Sequence, residues 1–180
     1  MEASTKSFCL PSSLKASILL VDDEPMVLKM LQTFLESQQY RVFCAPGGQQ
    51  ALSIIEQQGQ TIDLLITDIR MPDMNGIHLL EAVRQLLPAL PVLLMTGYTD
   101  FDLVVDGLKQ HAFDLLFKPI DFEQLNWCIS KALAFQMTQR LEQQYRIRLE
   151  EQVANQTRLL CNQLEELQEA QRKAAEVDEL

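Results

Sequence analysis

The sequence predicts an α/β fold: a doubly wound, five-stranded parallel sheet with a long C-terminal helical extension. Three observations predict it. Short apolar runs alternate with longer segments whose apolar residues recur at helical spacing. The runs are apolar throughout rather than alternating, as strands buried on both faces of a parallel sheet are. The last helical pattern, from Glu123 to about Glu176, contains no proline and no glycine.

The elements follow in order. Ser17 to Val21 (SILLV) is the first strand, and Asp22-Asp23-Glu24-Pro25 follows at once. Pro25 suits the first turn of a helix, with Asp23 or Glu24 as its cap and dipole partner. Val27, Leu28, Leu31, Phe34 and Leu35 carry that helix. Arg41 to Ala45 is the second strand, ahead of Gly47-Gly48, and Ala51, Leu52, Ile54 and Ile55 mark a helix that stops near Gly59. Leu64 to Thr67 is the third strand, with Asp68 at its end and the loop signals Met71-Pro72 and Asn75-Gly76 beyond it. Ile77, Leu80, Val83, Leu86 and Leu87 mark the third helix, which Pro88 ends; Pro91 opens the fourth strand, Val92 to Met95. Asp100 to Lys109 reads as a fourth helix, Phe113 to Phe117 as the fifth strand, and Asp121 as the start of the last helix. Short connections and right-handed crossovers would put helices on both faces of the sheet.

The chain organises as a flexible leader (1–16), a sheet domain (17–133) and a coiled-coil helix (134–180). The leader is Ser-rich and lacks the continuous apolar core of a signal peptide. No stretch is apolar enough to span a membrane, and a cytoplasmic location is expected. The net charge of -10 argues against a nucleic-acid partner. Cys9, Cys44, Cys128 and Cys161 fit no metal or disulfide spacing and read as reduced thiols; His78 and His111 are isolated.

Beyond Phe135 the last helix turns polar, and its apolar residues form a narrow stripe. Leu141, Tyr145, Leu149 and Val153 recur every four residues; Thr157, Leu160, Leu164, Leu167, Gln171 and Ala174 then follow a heptad rhythm. A four-residue rhythm running into heptads is a stutter in a coiled coil, here near Leu149 to Val153. So narrow a stripe on a lone helix is marginal in water, and a parallel homodimer through Leu141 to Ala174 is expected.

Charged and hydroxyl side chains close four of the apolar runs. Asp22 and Asp23 follow the first strand, Asp68 the third, Thr96 the fourth and Lys118 the fifth. Open α/β sheets place their ligand sites at these carboxyl ends. An Asp that caps the next helix is the plainer alternative for Asp68 taken alone. Three carboxylates in one crevice repel one another, and a hard divalent cation, Mg²⁺ or Mn²⁺, resolves that with oxygen ligands. A carboxylate nucleophile beside a cation, a lysine and a hydroxyl suits phosphoryl transfer to carboxylate. Gly47-Gly48 is too sparse for a phosphate-binding loop, so the phosphoryl group would come from a partner. The bond between Lys118 and Pro119 is expected to be cis, turning the chain while the ammonium points into the crevice.

The segments ILLVDDEP, LLITDIRMPDMNG, PVLLMTGY and AFDLLFKPI resemble the receiver domain of two-component response regulators, over about Ala16 to Lys131. The resemblance implies a flavodoxin-like fold. It implies Asp68 as phosphoacceptor, and Asp22, Asp23, Asp68 and the main-chain carbonyl of Arg70 as cation ligands. Thr96 would be the switch hydroxyl and Lys118 the phosphate-contacting lysine, with Asp68 and Lys118 carrying the chemistry. It implies a sensor histidine kinase or phosphotransfer protein as donor, and no enzymatic activity beyond phosphorylation and dephosphorylation of Asp68. Two residues depart from the family pattern: His111 stands where a glycine is usual, and Leu115 where an aromatic is usual. The tail resembles the linkers ahead of output domains. The leading functional reading is therefore a response regulator that signals through its coiled coil. The alternative is the regulatory front of a cyclic-di-GMP enzyme or hybrid kinase.

Overall fold

A computed structural model describes residues 15–97, 105, 107 and 109–178, with backbone only for 170–178. Among these, β1 (Ser17–Val21), β2 (Arg41–Ala45), β3 (Leu64–Asp68), β4 (Val92–Thr96) and β5 (Asp114–Phe117) form one sheet. All its pairings are parallel, in the order β2-β1-β3-β4-β5. Four helices accompany them: α1 (Pro25–Ser37), α2 (Gly48–Gln58), α3 (Gly76–Leu86) and α4 (Phe122–Asp178). β3 and β4 each run one residue further than their apolar runs, so Asp68 and Thr96 are strand residues, and β5 begins at Asp114 rather than Phe113. A 3₁₀ turn at Gly59–Thr61 was not expected from the sequence. Most of the expected helix at Asp100–Lys109 lies outside the described residues.

The strands are largely apolar because each face of the sheet has its own core. On one side Leu19, Val21, Leu65, Val92 and Leu94 pack with Ala51 and Ile55 of α2 and with Ile77, Leu80 and Val83 of α3. On the other side Ile18, Leu20, Leu64, Ile66, Leu93 and Leu116 pack with Leu31 and Leu35 of α1 and with Leu125, Ile129 and Ala132 of α4. Side chains alternate along each strand, so odd and even positions sort to opposite cores. At ~25 cal/mol per Å² of apolar surface, this two-sided burial is the main favourable contribution to folding.

The helix ends show how the loops are tied. The N-cap of α1 is Glu24, which makes no side-chain capping bond. Its amide instead donates to Asp22 Oδ1 at 2.8 Å. The N-cap is thus one of the two residues expected, and its amide is held by a carboxylate with a second task described below. Asn75 caps α3, accepting from the His78 amide at 2.8 Å. At the end of α1, Gln39 N–H donates to Glu36 O and Tyr40 N–H to Leu35 O, with Gln39 at φ 68°. This is a Schellman ending, whose left-handed position favours glycine. His111, at φ 61°, occupies the same kind of position, with Ala112 N–H donating to Gly107 O. The usual glycine there has a physical reason, and this chain does without it. Arg84 secures that turn, donating to His111 O at 2.7 Å and to Leu90 O at 2.7 Å.

A non-glycine residue in left-handed backbone costs about 1 kcal/mol, part of which glycine loses to its freedom in the unfolded chain. Gln39→Gly and His111→Gly should therefore each stabilise the protein by roughly 0.5 kcal/mol. Urea unfolding would show this as a raised midpoint at unchanged slope, and a lowered midpoint would contradict it.

The chain divides into two compact units at Met137. From Thr138 the second unit is a single helix, the continuation of α4. Its Leu141, Tyr145, Leu149, Val153, Leu160, Leu164 and Leu167 are all exposed. No helix among the described residues is long and apolar enough to cross a membrane.

Candidate functional site at the carboxyl ends of the strands

Strand order reverses between β1 and β3: the chain passes from β1 to β2 on one side and returns to β3 on the other. The loops after β1 and β3 diverge there and leave a crevice, the usual ligand position of such sheets. Alternation then decides which side chains meet in it. Asp22 continues the row of Ile18 and Leu20, Asp68 that of Leu64 and Ile66, and Lys118 that of Leu116, all on the α1/α4 side. Thr96 continues the row of Val92 and Leu94, on the α2/α3 side with Leu115.

The three charged groups of the first set are in contact. Lys118 Nζ lies 3.0 Å from Asp22 Oδ2 and 3.0 Å from Asp68 Oδ2. Asp22 is wholly buried and Asp68 nearly so, at 6% exposure. Each carboxylate uses its other oxygen on the main chain: Asp22 Oδ1 accepts from Glu24 N–H, and Asp68 Oδ1 from Ile69 N–H at 2.9 Å. Lys118 is itself placed by the ladder, its amide donating to Thr96 O at 2.8 Å, and the Lys118–Pro119 bond is cis, as expected.

The electrostatics are those of two acids sharing one base. Burial raises the Asp68 pKa; Lys118 opposes this by hydrogen bond and charge, Asp22 adds to it, and the net shift is upward. For Lys118, burial alone would lower the pKa, but hydrogen bonds and charge from Asp22 and Asp68 more than offset it, and the ammonium is held above its ordinary value.

Asp23 is exposed at the rim. Asp22, Asp23 and Asp68 each offer an oxygen, and these atoms all lie within 4.8 Å of one another. Such a hard, all-oxygen, anionic set fits Mg²⁺ or Mn²⁺ and does not suit a soft metal. Thr96 is buried, its hydroxyl donating to Gly97 O at 3.2 Å. Arg70 is an exposed residue of the loop after β3. That loop is closed at its base, with Ile69 N–H donating to Met95 O and Gly76 N–H to Ile69 O. Leu115 is partly buried against the α2/α3 core.

A family model for the response regulator receiver domain matches residues 18–130. The chain belongs to this family. Among similar proteins, the transcriptional regulatory protein ZraR of Klebsiella oxytoca is 41% identical over 120 residues, which are 67% of this chain and 27% of that protein. The regulatory protein AtoC of Escherichia coli (strain K12) is 39% identical over 119 residues, 66% of this chain and 25% of its own. The receiver thus spans about a quarter of the length of these curated relatives. Among solved structures, the CheY-like receiver domain protein of Methanospirillum hungatei JF-1 superposes with a TM-score of 0.65 at 31% identity, covering 69% of this chain and 98% of that one. A receiver domain protein of Clostridium thermocellum gives 0.64 at 31% identity, covering 66% and 94%.

Receivers belong to two-component signalling, accept phosphoryl groups from histidine kinases, and are typically non-catalytic apart from phosphoaspartate chemistry. The acidic cluster of Asp22, Asp23 and Asp68 is typical of the Mg²⁺ site of this family. Sequence reasoning placed these residues at strand ends. Unforeseen were the double use of Lys118 and the bond from the Glu24 amide to Asp22. Their only sequence signal is the shared parity of positions 22, 68 and 118 with the α1/α4 rows.

Proposed function

We propose that Asp68 is the phosphoacceptor of this receiver, and that it takes its phosphoryl group from a phosphohistidine on a sensor histidine kinase or phosphotransfer protein. The observation that carries the reading is the Lys118 ammonium 3.0 Å from both Asp22 and Asp68 in a buried crevice at the strand ends. An oxygen of Asp68 attacks phosphorus, the bond from phosphorus to the imidazole nitrogen breaks, and the electron pair leaves with the imidazole. Lys118 then balances negative charge on the equatorial oxygens, and Thr96 donates a hydrogen bond to one of them. Asp22, Asp23, Asp68 and the carbonyl of Arg70 would hold Mg²⁺ or Mn²⁺, which supplies further charge neutralisation when bound. Hydrolysis of the acyl phosphate resets the site, and no other enzymatic activity is assigned.

The test is direct. Incubated with a small phosphodonor and Mg²⁺, the protein should gain one base-labile phosphoryl group, absent in Asp68→Asn. Equal uptake by that variant would refute the assignment.

We further infer that the second unit forms a parallel two-stranded coiled coil with another copy, through Leu141 to Ala174. The exposed stripe from Leu141 to Leu167 supports this reading, and the stutter near Leu149 to Val153 is where a change of packing would pass. Sedimentation should show a dimer that is lost on truncation after Phe135. A dimer that survives truncation would mean that the sheet domain holds the pair.

A further inference from the structure

Gly47 and Gly48 have no role in the phosphoryl-transfer reading, yet both meet the loop after β3. Gly47 is the N-cap of α2 and has no side chain to cap it. A Cβ on Gly47 would stand 2.8 Å from Asp73 Oδ2 and 3.0 Å from Oδ1, and one on Gly48 would stand 2.8 Å from Met74 Cβ. Two consecutive glycines thus make the space that two consecutive loop residues fill. The carboxylate of Asp73 lies over the amino end of α2, where the first amides lack partners within the helix and carry partial positive charge. The Met74 amide, opposed by slight burial and joined by the amides of Asp73, Gln49 and Gly48, holds the Asp73 carboxyl below its ordinary range.

We propose that Asp73 is a positioning residue, clamping the loop that carries Arg70 onto the N-terminus of α2 and so holding the Arg70 carbonyl in place for a divalent cation. The proposal rests on the phosphoryl-transfer reading above. The loop is pinned at its base by the Ile69–Met95 and Gly76–Ile69 hydrogen bonds. Asp73 supplies a further point of attachment, three residues after Arg70 and on the far side of the loop's Met71-Pro72 turn. Freed there, the loop still closes, but its carbonyl is no longer aimed. Groups that orient ligands without touching the metal are worth about 10- to 100-fold in metal affinity.

Calorimetric Mg²⁺ titration of the full chain tests the clamp. Asp73→Ala should weaken Mg²⁺ binding about tenfold, while Asp73→Asn, which keeps an acceptor oxygen, should retain most of the affinity. Gly47→Val, which crowds Asp73 without changing any charge, should weaken binding as the alanine variant does. Backbone amides of Gly48 and Gln49 should exchange hydrogen faster in Asp73→Ala without Mg²⁺, at an unchanged melting temperature. Unaltered Mg²⁺ affinity in Asp73→Ala would overturn the clamp while leaving Asp68 phosphorylation intact. An asparagine variant as weak as the alanine one would assign the effect to charge alone and overturn it equally. If the unaltered protein shows no saturable Mg²⁺ binding, the cation reading fails and the clamp's role with it.

Discussion

Replacing Lys118 by methionine is expected to destabilise the protein in chelator by about 2–3 kcal/mol at neutral pH, and to tighten its hold on Mg²⁺. Breaking a buried ion pair costs ~3–5 kcal/mol because the remaining charge is left uncompensated; a quarter of the Lys118 side chain is exposed, which lowers the figure. The variant would keep two buried carboxylates, Asp22 and Asp68, with no cation between them. The sign with pH follows from Asp68. Its folded pKa is already raised by burial, and without Lys118 it rises further. A carboxyl whose folded pKa is raised contributes stability at low pH that is lost as pH climbs through the folded value. The deficit should therefore grow as pH rises from the ordinary carboxylate range towards neutrality. Lys118 cannot account for that slope, because its own raised pKa leaves it charged throughout the range. Mg²⁺ restores stability by mass action, by about 2.7 kcal/mol at a hundredfold excess over Kd, and need not displace an ammonium from Asp22 and Asp68. Urea unfolding across pH, with chelator and with Mg²⁺, checks each part. A deficit that does not vary with pH would show that lost packing, not carboxylate charge, is the cause.

Gly76→Ala should be at least as damaging, for a steric reason. Gly76 opens α3, and a Cβ there would overlap the carbonyl oxygen of Asp68 and stand 3.0 Å from Ile69 Cα. These are main-chain atoms at the end of a buried strand and have no rotamer to escape into. Overpacking of this kind costs about 1–3 kcal/mol when side chains can adjust, and more when they cannot. A loss of at least ~3 kcal/mol, or roughly 10 °C in Tm, is expected. Whatever protein folds should show reduced phosphoryl uptake, because relief of the overlap moves Asp68. Gly47→Ala is the control: it meets only the flexible Asp73 side chain, so its effect on Tm should be much smaller. Equal losses in the two variants would show that the overlap is relieved without moving β3.

The strands were legible because burial on two faces leaves few polar residues in them, and four of the five runs end where a charge or hydroxyl appears. Asp22, Asp68, Thr96 and Lys118 were legible for the same reason: a polar residue directly after a buried run must face the crevice or be neutralised. Pairing across the sheet was not. That Lys118 bridges Asp22 and Asp68, 96 and 50 positions away, depends on the β1–β3, β3–β4 and β4–β5 registers together. Left-handed Gln39 was invisible because glutamine is no turn signal, and its conformation is imposed by Tyr40 and Leu35 entering the core. The N-cap of α1 fell on Glu24, one of the two residues expected, but which of three successive acidic side chains meets the main chain there, Asp22, only the fold distinguishes.

The sorting of side chains into two rows makes the site sensitive to chain length. Adding or deleting one residue within β3 would exchange the faces of every position beyond it. Asp68 would then pass to the α2/α3 core, while Asp22 and Lys118 remained behind without it. The phase of the sheet and the charge balance of the crevice are thus one variable, and a frame shift of a single residue spoils both. The chain can vary in length without that penalty only where phase is reset before the next strand, as at the turns Gln38–Tyr40 and Gly59–Asp63, which lead into β2 and β3 at the amino ends of the strands, opposite the crevice.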